Sequence, residues 1–148
     1  MSSYRQILYH IVFRTKDGKK ALNLTDSDEL YKYIWGIVKN KNGHLYRING
    51  MEDHIHILSD LHPSVALADY VRDIKTASSK WLKECSNFPH FDGWADGYCG
   101  LTYAFRDKDT IVNYIKNQRE HHKTITFEEE YRKLLEEHGI EINEKYFP

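Results

Sequence analysis

The chain has 148 residues, 41% of them hydrophobic and 29% charged, which suits one globular domain spanning 1–148 with room for a core. Its formal net charge of -1 excludes overall charge as a drive toward nucleic acid, so any such binding needs a local basic patch. No apolar run approaches a membrane span, the stretch Met1-Ser2-Ser3-Tyr4-Arg5-Gln6 lacks a signal-peptide core, and Cys85 and Cys99 form neither a CxxC pair nor a metal spacing. These features predict a cytoplasmic protein with ordinary thiols and no membrane partner.

Tyr4 to Arg14 is rich in β-formers. Ile7, Tyr9, Ile11 and Phe13 share one parity, and Leu8, His10 and Val12 the other, so both faces are apolar enough for a central strand. A polar loop, Lys16 to Lys20, follows. Thr25 to Asp28 offers helix caps and first-turn acids; Leu30, Ile34, Ile37 and Val38 recur at helical spacing, and Asn42-Gly43 supplies a stop. His44 to Ile48 reads as a second strand, and Asn49-Gly50 as a hairpin turn that uses positive φ at both positions.

The returning strand carries Glu52-Asp53-His54-Ile55-His56-Ile57-Leu58. Pro63-Ser64 ends it and caps a second helix with an inner stripe of Leu67, Val71, Ile74, Ser78 and Trp81 or Leu82. Asn87 to Gly97 is a loop whose Phe88, Phe91 and Trp94 predict packing against the body rather than free movement. Tyr98 to Phe105 is a fourth strand, Ile111 to His122 a third helix, and Thr126-Phe127-Glu128-Glu129 a capping box for a last helix ending at His138-Gly139. The order βαββαβα plus a terminal helix predicts an α+β fold. A ferredoxin-like or RRM-like antiparallel sheet would carry helices on both faces and a functional helix near the C-terminus.

Strand periodicity puts His54 and His56 on one face and Ile55 and Ile57 on the other. Two imidazoles in reach of a common ion suit transition metals and, with oxygen co-ligands, Mg²⁺ or Mn²⁺. On the spacing alone they read first as half-exposed polar residues on a strand's wet face. Asp53 is a candidate to orient a histidine, but strand parity sends it to the Ile55 side, where it is simply a strand-entry residue. In the third helix, Ile111, Tyr114, Ile115, Gln118 and His122 fall at spacings of three and four, so the polar members face the protein. Tyr114 and Gln118 stand one turn apart; a glutamine oxygen can complete an ion's shell while the phenol reaches the same centre. Tyrosine is a natural nucleophile for phosphodiesters, and no GxxxxGK[ST] pattern supplies an ATP alternative. His10 can face the site or be a buried, hydrogen-bonded histidine, and His121 and His122 line the helix end. Arg72, Lys75, Ser79 and Lys80, extended by Lys16, form a candidate backbone-binding surface, diluted by Asp69, Asp73 and Glu84.

These segments together resemble the single-tyrosine HUH (His-hydrophobe-His) transposases of bacterial insertion sequences, including the repeat-associated tyrosine transposases. The resemblance is carried by Tyr9-His10-Ile11-Val12-Phe13-Arg14, Met51 to Leu58, Lys75 to Leu82, Trp94-Ala95-Asp96-Gly97-Tyr98, Tyr114 to His122, and Phe127 to Tyr131. It implies that Tyr114 is the nucleophile and that His54, His56 and Gln118 hold Mg²⁺ or Mn²⁺. It implies cleavage and rejoining of single-stranded DNA at hairpin-bearing ends through a 5′-phosphotyrosine, by homodimers that can share active sites, in a nucleoid-associated location. Ala95 stands where the family commonly has Gln. Two other functions fit parts of the sequence: a non-catalytic or domesticated hairpin-binding protein, and a metal-dependent hydrolase of small phosphodiesters.

Overall fold

The structure, a computed structural model, describes residues 3–147; Met1, Ser2 and Pro148 lie outside the described residues, and so do the first two positions of the N-terminal stretch read above. Four strands, β1 (Leu8–Arg14), β2 (Leu45–Gly50), β3 (His54–Asp60) and β4 (Cys99–Tyr103), form one antiparallel sheet in the order β2-β3-β1-β4. The two central strands are β3 and β1; β1 is apolar on both parities, while β3 carries Ile55 and Ile57 on one and His54 and His56 on the other. Their register sets Ile11 opposite Ile57 and Arg14 opposite His54.

Helices α1 (Ser27–Asn40) and α2 (Leu67–Glu84) cover one face of the sheet. There Ile11, Phe13, Ile55 and Ile57 pack against Leu30, Ile34 and Val38 of α1 and against Tyr70, Val71, Ile74 and Leu82 of α2. Each fully buried isoleucine contributes about 1.5–3 kcal/mol of apolar transfer free energy. Phe88, Phe91 and Trp94 of the long loop close this core, and the Trp94 indole donates to Ser78 Oγ at 3.1 Å. They act as loop anchors. On the opposite face, Val12, Cys99 and Leu101 pack against Phe127 and Leu134 of the last helix, α5 (Phe127–Glu137). Thr126 Oγ1 accepts the Glu129 backbone N–H at 3.2 Å, the half of a capping box that fixes where α5 begins. The α+β class with helices on both faces is therefore the observed one.

Several local expectations change. The hairpin between β2 and β3 turns at 51–53, with Met51 N–H donating to His54 O at 3.0 Å, and neither Asn49 nor Gly50 has positive φ. Gly50 is required by space instead: a Cβ there would lie 2.2 Å from the His54 carbonyl oxygen. Ser64 does not cap α2, which starts at Leu67; its hydroxyl pairs with His62 Nδ1 at 2.6 Å. The first strand starts at Leu8, and the fourth spans only Cys99–Tyr103.

The third helix is two helices, α3 (Lys108–Lys116) and α4 (Gln118–His121), separated at Asn117. The buried Asn49 amide donates to the carbonyls of both Ile115 and Lys116, at 3.1 and 3.0 Å. A side chain from β2 thus satisfies carbonyls at the end of α3, which lets the backbone turn at Asn117 without leaving buried acceptors empty.

Candidate metal and nucleophile site

The second face of the sheet holds the polar cluster. β3 presents His54 and His56 from its non-isoleucine parity, β1 presents His10 beside them, and α3, α4 and α5 bring Tyr114, Gln118 and Glu130 over the top. His10, His54, His56, Gln118 and Glu130 are all buried, while Tyr114 and His122 are half-buried. Tyr114, His54, His56 and Gln118, the four residues singled out in the sequence, converge within one chain.

Their meeting point is a carboxylate. Glu130 Oε1 lies 3.0 Å from His56 Nε2, 3.0 Å from His122 Nε2 and 3.4 Å from His54 Nε2. Its Oε2 accepts the Tyr114 hydroxyl and the Gln118 amide N–H, the latter at 2.6 Å. The Gln118 amide oxygen lies 3.1 Å from His54 Nε2. His121 Nε2 stands farther off, 3.7 Å from Glu130 Oε2.

The far nitrogen of each imidazole is anchored. His54 Nδ1 meets Asp53 Oδ1 at 2.7 Å, His56 Nδ1 meets His10 Nε2 at 2.8 Å, and His122 Nδ1 meets the Ile125 carbonyl at 3.0 Å. His10 in turn reaches the Tyr103 hydroxyl at 3.4 Å. Such partners fix ring orientation and point Nε2 inward. Asp53 does this because it sits in the hairpin loop, where strand parity does not apply.

The charges follow from these contacts. Burial opposes ionisation of Glu130, but His56 and the hydrogen bonds from His122, His54 and His56 outweigh it and hold the carboxyl far below its usual range. Burial alone would lower His54; hydrogen bonds to Asp53 and Glu130, with their charges, push it up to about 9. His56 is lowered, chiefly by burial. His10 is lowered well below its usual value by burial and by His56. Tyr114 is strongly raised, by burial first and then by the negative charge and hydrogen bond of Glu130. These contacts pair a carboxylate with an imidazolium and keep the phenol protonated.

Sequence reasoning missed Glu130 and left His122 as a helix-end residue. The signal for Glu130 was present: Phe127, Glu130 and Leu134, at spacings of three and four, are the buried residues of α5. A carboxylate in an apolar stripe needs a partner.

The basic residues are placed differently. Arg72, Lys75, Ser79 and Lys80 belong to α2, across the sheet from the histidines. Arg72 pairs with Asp69 and Asp73, and the Lys75 ammonium donates to the carbonyls of Ala95 and Gly97 at 2.7 and 2.9 Å. Lys75 thus holds the loop. Lys16 lies at the site's end of the sheet, two residues past Arg14, which pairs with His54. Among the described residues no helix is long and apolar enough to cross a membrane.

A sheet with helices on both faces, carrying paired histidines on one strand with a tyrosine and a glutamine folded over them, is the arrangement expected from the resemblance to single-tyrosine HUH transposases. Comparison with known proteins agrees. The family described as IS200-like transposases matches residues 3–118, and the chain belongs to that family. It is 25% identical over 122 residues to the ISDra2 transposase TnpA of Deinococcus radiodurans, covering 78% of this chain and 86% of that protein. The crystal structure of a candidate transposase from Deinococcus radiodurans R1 is 27% identical, with a TM-score of 0.59 over 80% of this chain and 95% of that one. A REP-associated tyrosine transposase bound to a REP hairpin shares the fold at 16% identity, with a TM-score of 0.62 over 84% of this chain and 76% of that one. Family membership makes the chain a DNA-processing enzyme by class, and a divalent ion fits the family and the His/Glu cluster.

Proposed function

We propose that residues 1–148 form one transposase domain that cleaves and rejoins single-stranded DNA at hairpin-bearing ends, with Tyr114 as nucleophile. The observation that carries this reading is the convergence, within one chain, of Tyr114 and Gln118 on the His54/His56 face, bridged by Glu130. The structural neighbour bound to a REP hairpin supports the choice of hairpin DNA.

In the reaction, Tyr114 Oη bonds to the scissile phosphorus and the bond from phosphorus to the 3′ oxygen breaks. The products are a 5′-phosphotyrosine and a free 3′-OH; attack by a 3′-OH on the phosphotyrosine reverses the step and joins a strand. The covalent intermediate conserves the phosphodiester bond energy, so no nucleotide triphosphate is needed. In the resting site the phenol keeps its proton and donates it in a hydrogen bond to Glu130 Oε2; on attack that proton is released to water, and the departing 3′ oxygen takes one up to become the 3′-OH. His54, His56 and Gln118 would hold Mg²⁺ or Mn²⁺, which when bound polarises the phosphate and stabilises its developing charge. His10 and Asp53 hold the two strand histidines in orientation. Lys16, Arg72, Lys75, Ser79 and Lys80 remain the proposed DNA-backbone contacts, with Lys16 nearest the site end of the sheet. The arrangement of Tyr114 over its own chain's histidines supports action in cis, whether or not the protein works as a homodimer.

The test is incubation of the protein with a panel of hairpin-bearing single-stranded DNAs and Mg²⁺ or Mn²⁺. A denaturation-resistant protein–DNA adduct, lost on chelation, is the expected result. Hairpin binding without an adduct on any substrate, and insensitive to chelator, would identify a binding module instead.

A further inference from the structure

We propose that Glu130 and His122 are themselves ligands of the divalent ion, so that α5 and the end of α4 close a metal site with His54. The inference rests on the metal-dependent reading above and changes its ligand set. Both residues lie beyond the segment matched by the family, 3–118.

Three observations carry it. The first is proximity: His54, His122 and Glu130 each offer a ligand atom, and these atoms all lie within 4.8 Å of one another. This compact set shares only His54 with the set that the family resemblance implies. The second is spacing. Adjacent ligands of an ion bound at about 2.1 Å stand about 3.0 Å apart when they meet at a right angle. The edges from Glu130 Oε1 to His122 Nε2 and His54 Nε2 are 3.0 and 3.4 Å. The third is orientation. His122 Nδ1 is bound to the Ile125 carbonyl and His54 Nδ1 to Asp53, the outer partners that a metal-binding histidine has, so both rings aim Nε2 at Glu130.

Purely as a structural element, Glu130 is expensive. It is 1% exposed, occupies a helix stripe otherwise built from Phe127 and Leu134, and gathers nitrogen ligands rather than apolar neighbours. A carboxylate with imidazoles around it is a donor set for a first-row divalent ion, and its nitrogen content suits Mn²⁺ better than Mg²⁺. Oε1 faces the imidazoles and Oε2 faces Tyr114 and Gln118, so one carboxylate ties the ion site to the nucleophile.

The experiment is Mn²⁺ binding to the DNA-free 148-residue protein, read by electron paramagnetic resonance of the free ion. Wild type, Glu130→Gln, His122→Asn and the surface control Lys32→Ala, an exposed position of α1, are compared. Wild type and the control should bind one equivalent alike, and the two site variants should bind roughly tenfold more weakly or worse. Site variants that bind Mn²⁺ as wild type does overturn this inference and leave the metal-dependent reading standing. A wild-type protein that binds no Mn²⁺ overturns both. Should the variants fail to fold, ¹¹³Cd²⁺ added to ¹⁵N-histidine-labelled wild type decides the matter. Cadmium–nitrogen coupling at Nε2 of both His54 and His122 supports the inference; coupling absent at His122 overturns it.

Discussion

The Tyr114 hydroxyl donates to Glu130 Oε2, joining α3 to a carboxylate sixteen residues later on α5. The contact holds the candidate nucleophile in its protonated form, because burial and an adjacent negative charge both raise the phenol. Glu130→Gln removes the charge and keeps the shape. Tyr114 should then ionise at a lower pH than in wild type, measured by the ¹³Cζ shift of labelled tyrosine across an alkaline titration. An unchanged midpoint would mean that burial alone sets the phenol.

His54 gives a pH dependence with a definite sign. Its pKa is raised from 6.5 to about 9 in the folded, metal-free protein, so its contribution to stability is full below the unfolded value and is lost as pH rises through about 9. His10 and His56 are lowered, and their contributions run the other way, weakening as pH falls below 6.5. The metal-free protein should therefore lose thermal stability as pH rises from about 7 to about 9, and His54→Gln should flatten that slope. Thermal melts at a series of pH values read this directly. A wild-type slope that persists undiminished in the variant would assign it to another group.

The hairpin at the head of the histidine strand depends on Gly50. A Cβ there would fall 2.2 Å from the His54 carbonyl oxygen and 2.9 Å from Ile55 Cα, both backbone atoms that cannot step aside. Gly50→Ala should cost about 1–3 kcal/mol by overpacking, measured by urea unfolding. It should also weaken metal binding, because it displaces the strand entry that places His54.

Asn49→Ala tests what holds α3 and α4 apart. It would strip partners from the carbonyls of Ile115 and Lys116 and should cost about 1–3 kcal/mol. Because the same contact sets where Gln118 enters the site, adduct yield should fall more than the loss of folded protein explains. Urea melts and adduct assays on the same samples separate the two effects.

These residues also mark what could be read from the chain alone. The period-two pattern of Ile55 and Ile57 against His54 and His56 located the sheet's two faces, since strand geometry is local and the pleat decides which side a residue takes. The α5 start was legible because Thr126 and Glu129 act across a single turn. Asn49 was not: it looked like a turn residue, and its real partners lie 66 and 67 positions away. Asp53 was assigned by strand parity to the wrong face because the strand begins one residue later. Glu130 escaped notice because its partner His56 is 74 positions distant, and only the tertiary fold turns a charged residue in an apolar stripe into the centre of a site.

The central claim is that Tyr114 attacks DNA. Its most direct test is the site of the covalent adduct, mapped by mass spectrometry of the protein digested after reaction with hairpin-bearing single-stranded DNA and Mn²⁺. The phosphonucleotide should sit on the peptide carrying Tyr114, and Tyr114→Phe, which keeps the ring and removes only the hydroxyl, should form no adduct while remaining folded. An adduct on another residue, or one that persists in Tyr114→Phe, would contradict the account.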